Sequence, residues 1–156
     1  MPRYGRVKKR KIGKDAVYNS ELIQRFINKM MVGGKKSKAE NIFYSAFEEI
    51  KAKLKLEPLE VFEKAIAHAA PMLEVKPRRV GGATYQVPIE ITRERGQSLA
   101  MQWIREAARA RKGKSMTESL TSEIIDAYNQ VGLAMKNRET MHKTADANRA
   151  FAHFRW

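Results

Sequence analysis

From Ser20 onward, apolar residues fall at Leu22, Ile23, Phe26, Ile27, Met30 and Met31. Paired neighbours recurring every fourth residue make one stripe of an α-helix, and Gly33-Gly34 interrupts it. The same period returns at Ala39, Ile42, Phe43, Ala46, Phe47, Ile50 and Leu54, which predicts a second helix. Pro58 suits the first turn of a third, and Leu59, Phe62, Ile66 and Ala69-Ala70 carry it to Pro71. These stripes are narrow, so the three helices are expected to pack against one another. The period then changes. Met72 to Val80 and Thr84 to Ile91 flank Gly81-Gly82-Ala83, two extended runs around a glycine turn that predict a β-hairpin. Pro77 and Pro88 lack ladder donors, which fits a free two-stranded ribbon that projects from the body. A helix is expected from about Glu94 to Arg111, with Leu99, Trp103, Ile104, Ala107 and Ala108 facing inward. Gly113 breaks it. Ser115 followed by Glu118 reads as a capping box, opening a helix with Leu120, Ile124, Ile125, Tyr128 and Val131 inward and Gly132 at its end. Asn137 is placed to cap a last helix to about Ala150, whose thin apolar content (Met141, Ala145) predicts a surface position.

The pattern predicts a mainly α protein. It is a single domain over residues 1–156, a bundle of about six helices with a projecting two-stranded β-hairpin and a basic N-terminal arm. Its parts are an arm (1–19), three helices (20–71), the hairpin (72–91), three more helices (94–150) and an aromatic-basic tail (151–156).

Composition sharpens this. The chain has 156 residues and is 43% hydrophobic, enough for a core, and 31 Lys and Arg outweigh 17 Asp and Glu for a charge of +14. Having no Cys, it offers no disulfide, thiolate metal site or cysteine nucleophile. No apolar run reaches the roughly 18 residues of a membrane span. The opening residues lack the apolar core of a secretory signal, and Pro2, Gly5 and Gly13 oppose a transit helix, so a cytosolic protein is expected.

The excess charge is concentrated. Residues 1–14 carry +7 with no acid, and residues 76–114 carry another +7, whereas 39–75 are net −3 and 115–156 balance. Two dense basic regions indicate a polyanionic partner, nucleic acid before membrane, because the arm has no bulky apolar face to insert. The same composition predicts that the arm orders only on its partner.

Catalytic chemistry finds no support. His68 sits in an apolar helix, where a hydrogen-bonded core or edge histidine is the ordinary case, and His142 and His153 are eleven residues apart without a metal-ligand spacing. Gly33 to Ser37 lacks the Walker spacing and follows no strand, which leaves it a basic loop. No nucleophile elbow and no close carboxylate pair in an apolar setting occurs, so the chain is expected to be no enzyme and to need no cofactor or metal. A helix-turn-helix around Gly113 fails because its second helix would carry Glu118, Glu123 and Asp126 and no Lys or Arg before Gln130. Structured RNA, which arms and ribbons can follow, fits better. Tyr85 lies near the hairpin tip, and the tail holds Phe151, His153, Phe154, Arg155 and Trp156. Those tail aromatics either pin the terminus to the domain or meet bases or a partner protein.

One run is highly specific: Arg78-Arg79-Val80-Gly81-Gly82-Ala83-Thr84-Tyr85-Gln86-Val87-Pro88. With Phe26-Ile27-Asn28-Lys29, Gly34-Lys35-Lys36, Gln97-Ser98-Leu99-Ala100 and Ala147-Asn148-Arg149-Ala150-Phe151-Ala152-His153, it makes the chain resemble the bacterial-type small-subunit ribosomal protein seven family over nearly its whole length. The stretch from Gly113 to Asn137 matches least distinctively. The resemblance implies a primary binder of the 3′ major domain of 16S ribosomal RNA that nucleates assembly of the subunit head. It implies a cytoplasmic ribosome, a place at the subunit interface near the decoding centre, and small-subunit proteins nine and eleven as neighbours. It also sets the hairpin, with Arg79, Gly81, Gly82 and Tyr85, near exit-site transfer RNA and the messenger path. Carried over by position, the RNA-facing residues are Arg3, Arg6, Lys8, Lys9, Arg10, Lys11 and Lys14 of the arm and Lys35, Lys36 and Lys38 of the first loop. Lys76, Arg78 and Arg79 of the hairpin join them, with Arg95 and a stripe of Arg105, Arg109, Arg111, Lys112 and Lys114. Arg149 and the tail aromatics are assigned to RNA or a partner protein. Gly81 and Gly82, lacking Cβ, suit both a tight turn and a close approach to a nucleotide.

Overall fold

The computed structural model describes Gly5 and residues 12–154. The expectations for Arg3, Arg6, Lys8, Lys9, Arg10, Lys11, Arg155 and Trp156 lie outside the described residues. In chain order the elements are α1 (Glu21–Met30), α2 (Lys36–Leu54), α3 (Pro58–Ala69), β1 (Leu73–Val80), β2 (Ala83–Glu90), α4 (Arg93–Ala110), α5 (Met116–Tyr128) and α6 (Leu133–Ala147). A 3₁₀ helix over Arg149–Phe154 closes the described chain. The mainly α bundle with one hairpin is as expected.

Phe26, Phe43, Phe47 and Phe62 are fully buried and meet ring to ring, with centroids 4.2 to 5.7 Å apart. They come from the three stripes of α1, α2 and α3, yet these helices do not close on one another alone. α5 lies against α2, α3 and α4 at once, bringing Leu120 and Ile124 into the same core. A central helix of this kind is apolar on more than one side, and here its buried set includes Ser119, Thr121 and Glu123, which narrow stripes on the other helices do not announce.

Boundaries differ where tertiary contacts supply the cap. Ser115 accepts a hydrogen bond from the Glu118 N–H at 3.2 Å, as the capping box predicts. The last helix, however, begins at Leu133 and not at Asn137. Its buried N-terminal donor, Ala134 N–H, is accepted at 3.1 Å by the Glu123 side chain of α5, so no local cap is needed. Val131, expected inward, is 54% exposed because α5 has already ended at Tyr128. α6 is exposed over most of its length but buries Ala134, Met135 and Ala145 and lies against α4 and the hairpin.

The hairpin pairs Leu73 with Glu90 through Val80 with Ala83, leaving Gly81-Gly82 as a two-residue turn. Both have positive φ, 57° and 92°, the geometry that matches strand twist and that glycine adopts without strain. Ala83, expected in the turn, pairs with Val80. The ribbon is exposed near its tip, but it is not free along its length. α6 lies against β1 and β2, and Tyr85 meets Phe151 and Phe154 of the 3₁₀ helix at 5.0 and 5.2 Å. A salt bridge of 2.7 Å from Arg95 to Glu74 fastens its base to α4.

Candidate nucleic-acid interface

Three chain segments meet at one end of the bundle: the C-terminus of α1, the loop into α2, and the C-terminus of α4. A shallow hollow of about 180 Å³ between them is lined by Met30, Met31, Val32, Lys35, Lys38, Ala39, Ile42, Arg109 and Met116. Lys35, Lys36 and Lys38 are exposed, and among the described residues only Lys36 makes a local pair, 3.4 Å to Glu40. Arg109 and Met116 bracket the turn that carries the exposed Lys112 and Lys114. Two basic runs about 70 residues apart in sequence therefore share one surface.

The stripe on α4 does double work. The last carbonyls of α1 lack intrahelical partners and mark the negative end of its dipole. Arg105 donates to the Lys29 carbonyl at 3.1 Å and Arg109 to the Met30 carbonyl at 3.0 Å. Arg105 also pairs with Glu106 at 3.0 Å and is half-buried, so its guanidinium serves the protein first. Arg109 stays exposed beside Lys35 and Lys38. Arg111 is held between Glu123, at 2.7 Å, and Asp126. Within the expected basic stripe from Arg105 to Lys114 the groups alternate: guanidinium groups bonded to backbone or carboxylates, lysines open to solvent. Hydrogen bonding to Glu123, above all, holds the Arg111 pKa above its ordinary value.

Sequence reasoning passed over Lys29 and Arg25. Lys29 donates to the Ser98 carbonyl at 2.9 Å, and burial, then Arg105, Arg95 and Arg25, push its ammonium pKa down. In the sequence Lys29 stands at the end of the Phe26-Ile27-Asn28-Lys29 motif, with nothing local to mark its contact with α4. Arg25 itself reaches Glu94 at 3.5 Å.

Lys76, Arg78 and Arg79 are exposed along the hairpin, and Lys14 is exposed where the arm joins the body. Arg95 has its Nε and Nη2 on the two oxygens of Glu74, at 3.1 and 2.7 Å, leaving it half-exposed. Tyr85, expected beside transfer RNA, is half-buried under Phe151 and Phe154, and the His153 ring meets Phe154 at a tilt, centroids 4.0 Å apart. Arg149 is exposed. Gly81 and Gly82 lie open at the tip, with nothing of the protein near a built Cβ. A larger cavity of about 930 Å³ at the hairpin base is lined by apolar residues including Leu22, Ile66 and Met72, with Glu63 and Glu90 beside them. Two carboxylates against one cation there, Arg93, make the lysine-lined end the better surface for a polyanion. His68 faces the Ala127 and Tyr128 carbonyls at 3.4 and 3.1 Å, a structural histidine. No helix among the described residues is long and apolar enough to cross a membrane.

A mainly helical body that exposes lysines from separate loops on one surface fits the class of nucleic-acid-binding proteins. The model of the family described as ribosomal protein S7p/S5e matches residues 2–149. Small ribosomal subunit protein uS7 of Dictyoglomus turgidum is 58% identical over 156 residues, all of both chains. The proteins of the same name from Carboxydothermus hydrogenoformans and Chloroflexus aggregans are each 56% identical, the first over all of both chains, the second over 99% of this chain and 98% of its own. The chain belongs to the ribosomal protein S7p/S5e family. The family is structural, not enzymatic, and its RNA-binding role in translation follows from that membership.

Proposed function

We propose that this chain, a structural constituent of the small ribosomal subunit by its family, acts there as a primary ribosomal RNA binder. It takes the 3′ major domain of 16S ribosomal RNA and nucleates folding of the head. The single observation that carries the reading is the shared surface of Lys35, Lys38 and Arg109, with Lys112 and Lys114 on the adjoining turn. Phosphates crossing that end of the bundle would meet lysines without structural duties, and displacing counterions there supplies affinity that falls with salt. Lys14 and the arm residues Arg3, Arg6, Lys8, Lys9, Arg10 and Lys11 extend the track, and Lys76, Arg78 and Arg79 continue it along the hairpin. The hairpin tip then lies toward exit-site transfer RNA and messenger at the subunit interface, with small-subunit proteins nine and eleven as neighbours, as the family resemblance suggests.

Footprinting on small-subunit RNA fragments, with and without the full chain, tests the proposal. Protection confined to the 3′ major domain is expected. Protection elsewhere, or preference for a specific duplex DNA, overturns it.

A further inference from the structure

We propose that Arg111 is a positioning residue: with Glu123 it clamps the turn that presents Lys112 and Lys114, and it does not itself contact phosphate. The inference rests on the RNA-binding reading above. Arg111 is the residue after α4. Its Nε and Nη2 both donate to the same oxygen of Glu123, at 3.2 and 2.7 Å, and Nη2 also reaches the Asp126 carboxylate. Glu123 is 1% exposed, and its other oxygen accepts from Ala134 N–H. One buried carboxylate thereby ties the end of α4 to α5 and to the first turn of α6.

Gly132 completes the fit. A Cβ on it would stand 3.0 Å from the Asp126 Cβ and 3.2 Å from a Glu123 oxygen, and its φ of 93° favours glycine independently. At the far side of the turn, Ser115 caps α5. The stretch from Lys112 to Lys114 is thus held at both ends while its two ammonium groups stay exposed. Removing Arg111 would leave Glu123 a buried carboxylate without its cation, which is costly, so the pair is hard to release for RNA. A turn ordered before binding loses less entropy when bound, which is how a residue can raise affinity without touching the ligand.

The test is a salt titration of affinity for a 3′ major domain transcript, using full-length Arg111→Gln, Arg111→Lys, Lys112→Gln/Lys114→Gln and the triple variant. The lysine double variant should lower the slope of log affinity against log salt by about 1.4, at roughly 0.7 per contact. Arg111→Gln should weaken binding roughly three- to tenfold with the slope unchanged, and Arg111→Lys should behave like it, because Lys keeps the charge but not the fork. The triple variant should bind little worse than the double, since the clamp acts through those lysines. In the free protein, amide exchange at residues 111–115 should quicken in both Arg111 variants, a readout that needs no RNA. A slope lowered by about 0.7 in Arg111→Gln and restored in Arg111→Lys would make Arg111 a phosphate contact. Additive losses in the triple variant would likewise overturn the proposal. Faster exchange with no transcript binding by the unmodified chain would instead fault the RNA-binding reading and leave the clamp standing.

Discussion

Lys35 and Lys38 have no protein acceptor among the described residues, and Lys36 has only an exposed pair with Glu40 of the kind that contributes little. Replacing all three by Gln should therefore leave thermal stability almost untouched while changing RNA binding. At roughly 0.7 per contact, the slope of log affinity against log salt should shrink by about two. A salt titration of a filter-binding or fluorescence assay reads it directly, and an unchanged slope would return the loop to an ordinary solvated turn. Arg105 is the contrast at the same scale. Its guanidinium caps α1 and pairs with Glu106, so its loss would register in stability before affinity.

At the scale of elements, the hairpin is fastened at its base and exposed at its tip. Arg95, through its hydrogen bonds, holds the Glu74 carboxyl below the usual carboxylate range. A carboxyl with a depressed folded pKa contributes stability that is present above its unfolded pKa and is lost as pH falls through the folded value. The full chain should thus melt higher than Arg95→Gln near pH 6 by at most about 2–4 °C, given a half-exposed pair worth under about 1 kcal/mol. That gap should shrink as pH falls below the ordinary glutamate value of about 4.3. Melting curves across that window check it, and a gap that widened on acidification would contradict the assignment. The tip behaves separately. Val80 to Thr84 hold no charged side chain, so trimming them removes no phosphate neutraliser and should change affinity by less than about threefold. Ribosomes carrying the trimmed chain should assemble near normally yet show altered exit-site transfer RNA retention or frame maintenance. Collapsed affinity with normal frame keeping would make the ribbon an RNA anchor.

Seen whole, the molecule separates a stability centre from its charge. Among the described residues the core is built from residues after Asp15, which is itself 3% exposed and accepts hydrogen bonds from the Val17 and Tyr18 N–H groups and, at 2.6 Å, from the Tyr44 hydroxyl of α2. Burial, and then that bond, push the Tyr44 pKa well up. Asp15 thereby anchors the chain before α1 to α2. Deleting residues 1–11 should then lower RNA affinity strongly and leave the melting temperature of the free protein nearly unchanged. Calorimetry beside a binding titration decides this, and a large fall in melting temperature would show the arm to be part of the fold.

The amino-acid sequence alone determined the helix periods, the glycine turn of the hairpin, the Ser115 cap and the concentration of positive charge, because each depends on residues within a few positions of one another. The motif around Arg78 to Pro88 identified the family for the same reason. Which arginines are free was decided only by the tertiary structure. Arg105, Arg109 and Arg111 read alike as neighbours on one helix, yet their acceptors come from α1 and α5, 76, 79 and 12 residues away. The start of α6 likewise depended on Glu123, eleven residues from the donor it caps. Tyr85 and the tail aromatics were placed together by packing that neither segment encodes locally. Charge can be counted along a chain, but whether a charge is spent inside the protein depends on what the fold sets beside it.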